Sequence, residues 1–128
     1  MKQNFVYIDD LHFDLKRWLN ELRFYKDELD IFKYRLEEIA ARNTGHDVTA
    51  QIEHFQNRFI REGEVNDELR HEIKQHENRL FDRAIANPIA VDHVRFEDHN
   101  GLREQIDTYH KLYSELKHEY VNFLAEWM

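Results

Sequence analysis

Through three long stretches of this chain the apolar residues recur alternately every three and four positions. The first series runs Leu11, Leu15, Trp18, Leu22, Tyr25, Leu29, Phe32, Leu36, Ile39, and the last runs Leu102, Ile106, Tyr109, Tyr113, Leu116, Tyr120, Phe123, Trp127. The middle series keeps the beat but sets polar residues on it: Ile52, Phe55, Phe59, Glu62, Asn66, Leu69, Ile73, His76, Leu80. An α-helix turns once in about 3.6 residues, so this spacing gathers the apolar side chains into one narrow stripe. Such stripes bury themselves against one another along seams, as in coiled coils and helix bundles.

Composition agrees with long helices. Of 128 residues, 41% are hydrophobic and 34% charged, with three Gly and one Pro. That supplies a core and solvated outer faces, but too few turn residues for a sandwich or barrel. The length suits a single domain, residues 1–128. The formal net charge is −8, from 18 Lys and Arg against 26 Asp and Glu. Acids and bases alternate along all three stretches and leave no basic face, so nucleic acid is not an expected partner. No cysteine is present, which excludes disulfides, thiolate catalysis and Cys-ligated metal centres. No run approaches the ~18 apolar residues of a membrane span. The first residues lack the apolar core of a signal peptide. The expectation is a soluble, cytoplasmic protein with no membrane partner.

Punctuation divides the chain. Asp9 or Asp10 can cap a first helix over about 9–42, and residues 1–8 form a short arm whose Phe5, Val6, Tyr7 and Ile8 suit docking on the bundle. Asn43-Thr44-Gly45 ends that helix, with Gly45 suited to a left-handed turn. Asp47 or Thr49 then caps a second helix over about 48–86. Gly63 lies inside it, but Phe59 and Ile73 are two whole heptads apart, so the seam holds its phase across the glycine and one continuous helix is expected. Asn87-Pro88 stops it. A short helical or turn segment near 88–97 follows, then a turn at Asn100-Gly101, then a third helix over about 102–127. Short links make neighbours antiparallel. The fold class is therefore all-α, an up-down-up bundle of three long helices with coiled-coil-like seams. The layout resembles the three-helix bundles of spectrin-type repeats, in layout alone, since Trp18 and Trp127 fall at opposite ends.

The exceptions on the middle seam are informative. Counting outward from the turns places Asn66 near Tyr25 of the first helix and near Tyr113 to Tyr120 of the third. Buried carboxylates and amides need partners, and tyrosine hydroxyls supply them. Tyr25, Glu62, Asn66, Tyr113 and Tyr120 thus form a candidate buried polar layer that fixes register, as polar seam residues do in coiled coils. A small-ligand pocket there is the alternative. By the same count His76 lies near Trp18 and Tyr109.

The phase of the seams bears on metal chemistry. Di-iron bundles use inward-facing Glu-x-x-His pairs. The chain contains Glu68-Leu69-Arg70-His71 and Glu115-Leu116-Lys117-His118, but Leu69 and Leu116 take the seam and turn His71 and His118 outward. His93, Glu97 and His99 form the one remaining local cluster, a distant candidate for an opportunistic ion. No Gly-rich phosphate loop occurs, and the single serine, Ser114, is mid-helix. No catalytic residues and no cofactor are expected.

The first helix carries a second apolar stripe. Phe13, Phe24 and Ile31 lie well round the helix from the seam, flanked by Leu19 and Tyr34. A helix with two apolar faces is usually sandwiched between two layers, and exposed apolar patches mark association sites. The expected function is non-enzymatic: a scaffold, adaptor or self-associating bundle whose partner is a protein, a homodimer included. The alternative is a ligand- or metal-binding bundle of ferritin-like or hemerythrin-like type.

Overall fold

A computed structural model of the chain describes residues 8–86 and 88–127, with side chains outside 8–9, 80–81 and 83–98. The expected arm over 1–8 lies almost wholly outside the described residues. Three helices follow in order: α1 (Ile8–Arg42), α2 (His46–Ala86) and α3 (Pro88–Trp127). They pack against one another, with no strand among the described residues, as an all-α three-helix bundle.

The seam residues form the core. Leu11, Leu15, Trp18, Leu22, Leu29, Leu36 and Ile39 of α1 are buried against Ile52, Phe55, Phe59, Leu69 and Ile73 of α2. Leu102, Ile106, Tyr109, Tyr113, Leu116, Tyr120 and Phe123 of α3 close the cluster. Each such side chain removes apolar surface from water, worth roughly 1.5–3 kcal/mol apiece before conformational entropy is set against it. α2 runs through Gly63 without interruption, as the phase of its seam requires.

The links are tighter than the sequence suggests. Gly45 does not take a left-handed conformation, since no glycine has positive φ among the described residues. It stands immediately before α2 instead. Its carbonyl accepts from the Thr49 amide at 3.0 Å and from the Thr49 hydroxyl at 2.8 Å, while Asn43 bonds back to the Ile39 carbonyl at 3.0 Å. Asp47 therefore sits in the first turn of α2, where its charge suits the helix dipole, and is not the cap.

The larger correction concerns 88–101. The separate short segment and the turn at Asn100-Gly101 are absent, and α3 runs as one helix from Pro88 to Trp127. Pro88 at its first position needs no amide partner, which favours a helix start there. Gly101 costs the helix about 1 kcal/mol relative to alanine. Flanking residues offset that: His99 and Leu102 are both buried, so the helical phase places two side chains in the interior at this point.

Helix α3 consequently folds straight back along α2. Asn66 meets Tyr109, His76 meets His99, and Phe55 meets Tyr120, the two members of each pair being about equally many residues from the α2–α3 link in sequence. α1 and α3 run parallel to each other, and their backbones stay farther apart than those of the other two pairs. Rings fill the space between them. Tyr25 stacks on Tyr113 at 4.3 Å between centroids, and Phe32 meets Tyr120 at 4.9 Å.

Candidate functional site

The middle of the bundle is held by one amide. Asn66 is fully buried, and both its side-chain nitrogen and its side-chain oxygen are hydrogen-bonded. Its nitrogen donates to the Leu22 carbonyl of α1 at 2.8 Å and to the Tyr109 hydroxyl of α3 at 3.1 Å. Its oxygen accepts from Arg70 Nε at 2.8 Å. Tyr109 passes the bond on, donating to the Glu62 main-chain carbonyl at 3.3 Å. Burial pushes the Tyr109 phenol up to about 12, with the Asn66 bond opposing the shift, so the hydroxyl remains a donor.

The five residues Tyr25, Glu62, Asn66, Tyr113 and Tyr120 do not meet at one height. Tyr109, expected beside His76, is the partner of Asn66, because the straight hairpin moves α3 along by about a heptad. Tyr113 donates instead to Glu28 Oε1, and Lys117 Nζ donates to Glu28 Oε2 at 2.9 Å. Burial and the neighbouring Glu28 carboxylate both raise the Tyr113 phenol. Tyr120 donates to the Phe32 carbonyl at 3.0 Å, and Tyr25 bonds His110 Nδ1 at 2.6 Å. The polar seam is thus a ladder spread over several turns.

Glu62 is the member that does not join. Its side chain is only 6% exposed, yet Oε2 is buried without a hydrogen-bond partner. Burial raises its carboxyl above the ordinary range, with Arg58 and Arg61 opposing. It lines the groove between α2 and α3, whose described lining does not include Tyr25, Tyr113 or Tyr120.

A second polar chain lies nearer the link between α2 and α3. His76 and His99 are buried, with His76 Nε2 at 3.3 Å from His99 Nδ1. His99 Nε2 lies 3.1 Å from Asp14 Oδ2, which also accepts from Arg103 Nη2 at 2.8 Å. Trp18 stacks on His99 at 4.9 Å, with the Arg103 guanidinium 5.8 Å from the Trp18 ring. Burial lowers the His99 imidazole, and the Asp14 carboxylate opposes that shift. With His99 neutral and donating to Asp14, its Nδ1 accepts from His76. Sequence reading missed this chain. The available signal was the beat itself: stepping back three residues from Leu102 reaches His99, but the expected turn at Asn100-Gly101 hid it.

The side chains of His93 and Glu97 lie outside the described residues, so the proposed trio with His99 is represented by His99 alone. Among the described residues no group of three or more His, Cys, Asp or Glu side chains is placed to hold a metal ion. Glu68, His71, Glu115 and His118 are all exposed, as the phase of Leu69 and Leu116 dictates. Among the described residues no helix is long and apolar enough to cross a membrane.

The outer face of α1 is apolar in the places expected. Phe13 is 67%, Phe24 58%, Ile31 61% and Tyr34 68% exposed. Leu19 differs: it is half-buried and lines the groove between α1 and α2 with Phe13, Leu15 and Ile73. Comparison with protein-family models, curated proteins and solved structures finds no match.

Proposed function

We propose that this chain acts by binding protein, a second copy of itself first of all, through the outer face of α1. One observation carries the reading: four large apolar side chains, Phe13, Phe24, Ile31 and Tyr34, stand more than half exposed on a helix whose opposite face is already buried in the core. Phe13, Phe24 and Ile31 differ by eleven and seven residues, which brings all three to nearly the same angle on the helix. The stripe extends over roughly 27 Å. Arg17, Asn20 and Asp27 interrupt it, which suits an interface that forms between already folded bundles. A two-fold dimer pairs such a stripe with itself.

Light scattering across a concentration series tests the reading. A dimer that Phe24→Asp and Ile31→Asp convert to a monomer of unchanged helicity supports it. A monomer at every concentration, with both variants equal to the wild type in solubility, overturns self-association through this face.

A further inference from the structure

We propose that the groove between α2 and α3 is a docking site for a partner's amphipathic helix that carries an arginine or lysine side chain to Glu62. The groove faces away from α1, so it is a surface separate from the stripe of Phe13, Phe24 and Ile31. It is an open trough of about 1340 Å³, walled by Val65 and Leu69 of α2 and by Thr108 and Leu112 of α3. Leu112 is 43% exposed there. From Glu62 to Glu72 the trough follows about three turns of α2. A small molecule is normally enclosed by a pocket of about 300–1,000 Å³, whereas a long open trough with apolar side chains along it is the form that receives a helix.

Charge selects the occupant. Glu62 sits in the trough with Oε2 buried and unpartnered. Arg58 and Arg61 act on it through space but pair with other carboxylates: Arg58 lies 3.8 Å from Glu119, and Arg61 lies 3.9 Å from Glu64. Glu68, Glu72 and Glu104 add further carboxylates along the walls, against His71 and those two arginines. A buried carboxylate oxygen without a hydrogen-bond partner is costly, and a cation delivered by a docked helix offsets that cost. The acidic lining likewise disfavours polyanions, nucleic acid among them. The apolar side chains of Val65 and Leu112, open to the groove beside the single buried carboxylate, fit a helix with an apolar face and one basic side chain set into it.

The test is a display library of amphipathic helical peptides, with one position of the apolar face randomised, selected on the intact protein. Arginine or lysine should dominate that position. A synthetic peptide from the selection should shift backbone amides within 58–72 and 101–112. Glu62→Gln should weaken its binding by about tenfold or more. Replacing the peptide's basic residue by norleucine should cost a similar factor, and the two changes together should cost little more than either. Leu112→Asp, a change at a partly exposed position, should also weaken binding while melting and helicity stay near wild type. Selected peptides without a basic preference would overturn the proposal, as would shifts confined to the α1 stripe, or binding indifferent to Glu62→Gln. An empty selection would overturn it too. If spermidine alone reproduces the shifts, the site takes a free amine and not a helix. If the unliganded protein shows concentration-dependent shifts there that Glu62→Gln abolishes, a second copy is the occupant and the proposed partner is wrong.

Discussion

The side-chain amide of Asn66 donates a 2.8 Å hydrogen bond to the main-chain carbonyl of Leu22, and so ties α2 to the backbone of α1. The same nitrogen reaches Tyr109 of α3, so one residue sets the relative height of three helices. Apolar seams tolerate sliding by a turn, because leucines can exchange neighbours; a buried amide bonded to both other helices does not.

Asn66→Leu should therefore destabilise the bundle by about 1–3 kcal/mol, since Arg70 Nε and the Tyr109 hydroxyl lose a partner and the new side chain must fit a site shaped for an amide. Tyr109→Phe should cost about 1 kcal/mol. Urea denaturation of both variants and of the double variant would measure the coupling. The double variant should lose less than the two losses added together, because each single change already breaks the shared bond. Strict additivity would show that the Asn66–Tyr109 bond contributes nothing.

Glu62 should behave in the opposite sense. Glu62→Met removes a buried carboxylate whose Oε2 has no partner, and should raise stability by about 1–3 kcal/mol at neutral pH. The pH dependence has a definite sign. Burial raises the folded-state carboxyl above its ordinary value of 4.5, so the folded protein holds the proton more tightly than the unfolded chain. The group's contribution is full below 4.5 and is lost as pH rises through the raised value. Melting temperatures followed upward from pH 4.5 should thus separate, the wild type falling away from Glu62→Met. Parallel curves would show that the carboxyl titrates as it does in water.

His99 gives the reverse slope. Burial holds its imidazole below the ordinary value of 6.5, so the folded state prefers it neutral. Its contribution is present above 6.5 and is lost as pH falls through the lowered value. His99→Phe retains a ring to stack on Trp18 and cannot titrate, and Asp14 keeps its bond from Arg103. Denaturation followed downward from pH 6.5 should show a steeper acid loss for the wild type than for the variant. Equal slopes would mean that His99 carries its proton in the folded state as readily as in the unfolded one.

What was legible in the sequence follows from what periodicity encodes. The phase of Leu11 to Ile39 determined which face of α1 is buried and left Phe13, Phe24 and Ile31 outside, and the structure has them there. The same phase turned His71 and His118 outward. Longitudinal register is different, because it depends on link length, and one glycine in a doubtful place shifts every cross-helix pair. Treating Asn100-Gly101 as a turn set Tyr113 to Tyr120 beside Asn66 in place of Tyr109 and left His99 out of the core. The unpartnered state of Glu62 was not legible at all. It depends on where Arg58 and Arg61 turn, and spacing along the chain does not encode that.

Gly101 offers the sharpest check on that register. It lies inside α3 without positive φ, and a Cβ built on it meets nothing within 4 Å. Alanine there removes backbone freedom from the unfolded chain and adds no clash, so Gly101→Ala should stabilise by about 0.5–1 kcal/mol. A left-handed turn at the same residue predicts the reverse, because a Cβ at positive φ is strained. Gly63→Ala is a companion test at a closer position, where the new Cβ would lie 3.4 Å from Lys26 Nζ, the flexible end of a side chain that already leans on Asp67 at 3.3 Å. It should be neutral or mildly stabilising. Thermal denaturation of the two single variants decides the matter: a clear loss at Gly101→Ala, with Gly63→Ala unharmed, would show that α3 breaks at Gly101 and that the pairing of Asn66 with Tyr109 must be drawn again.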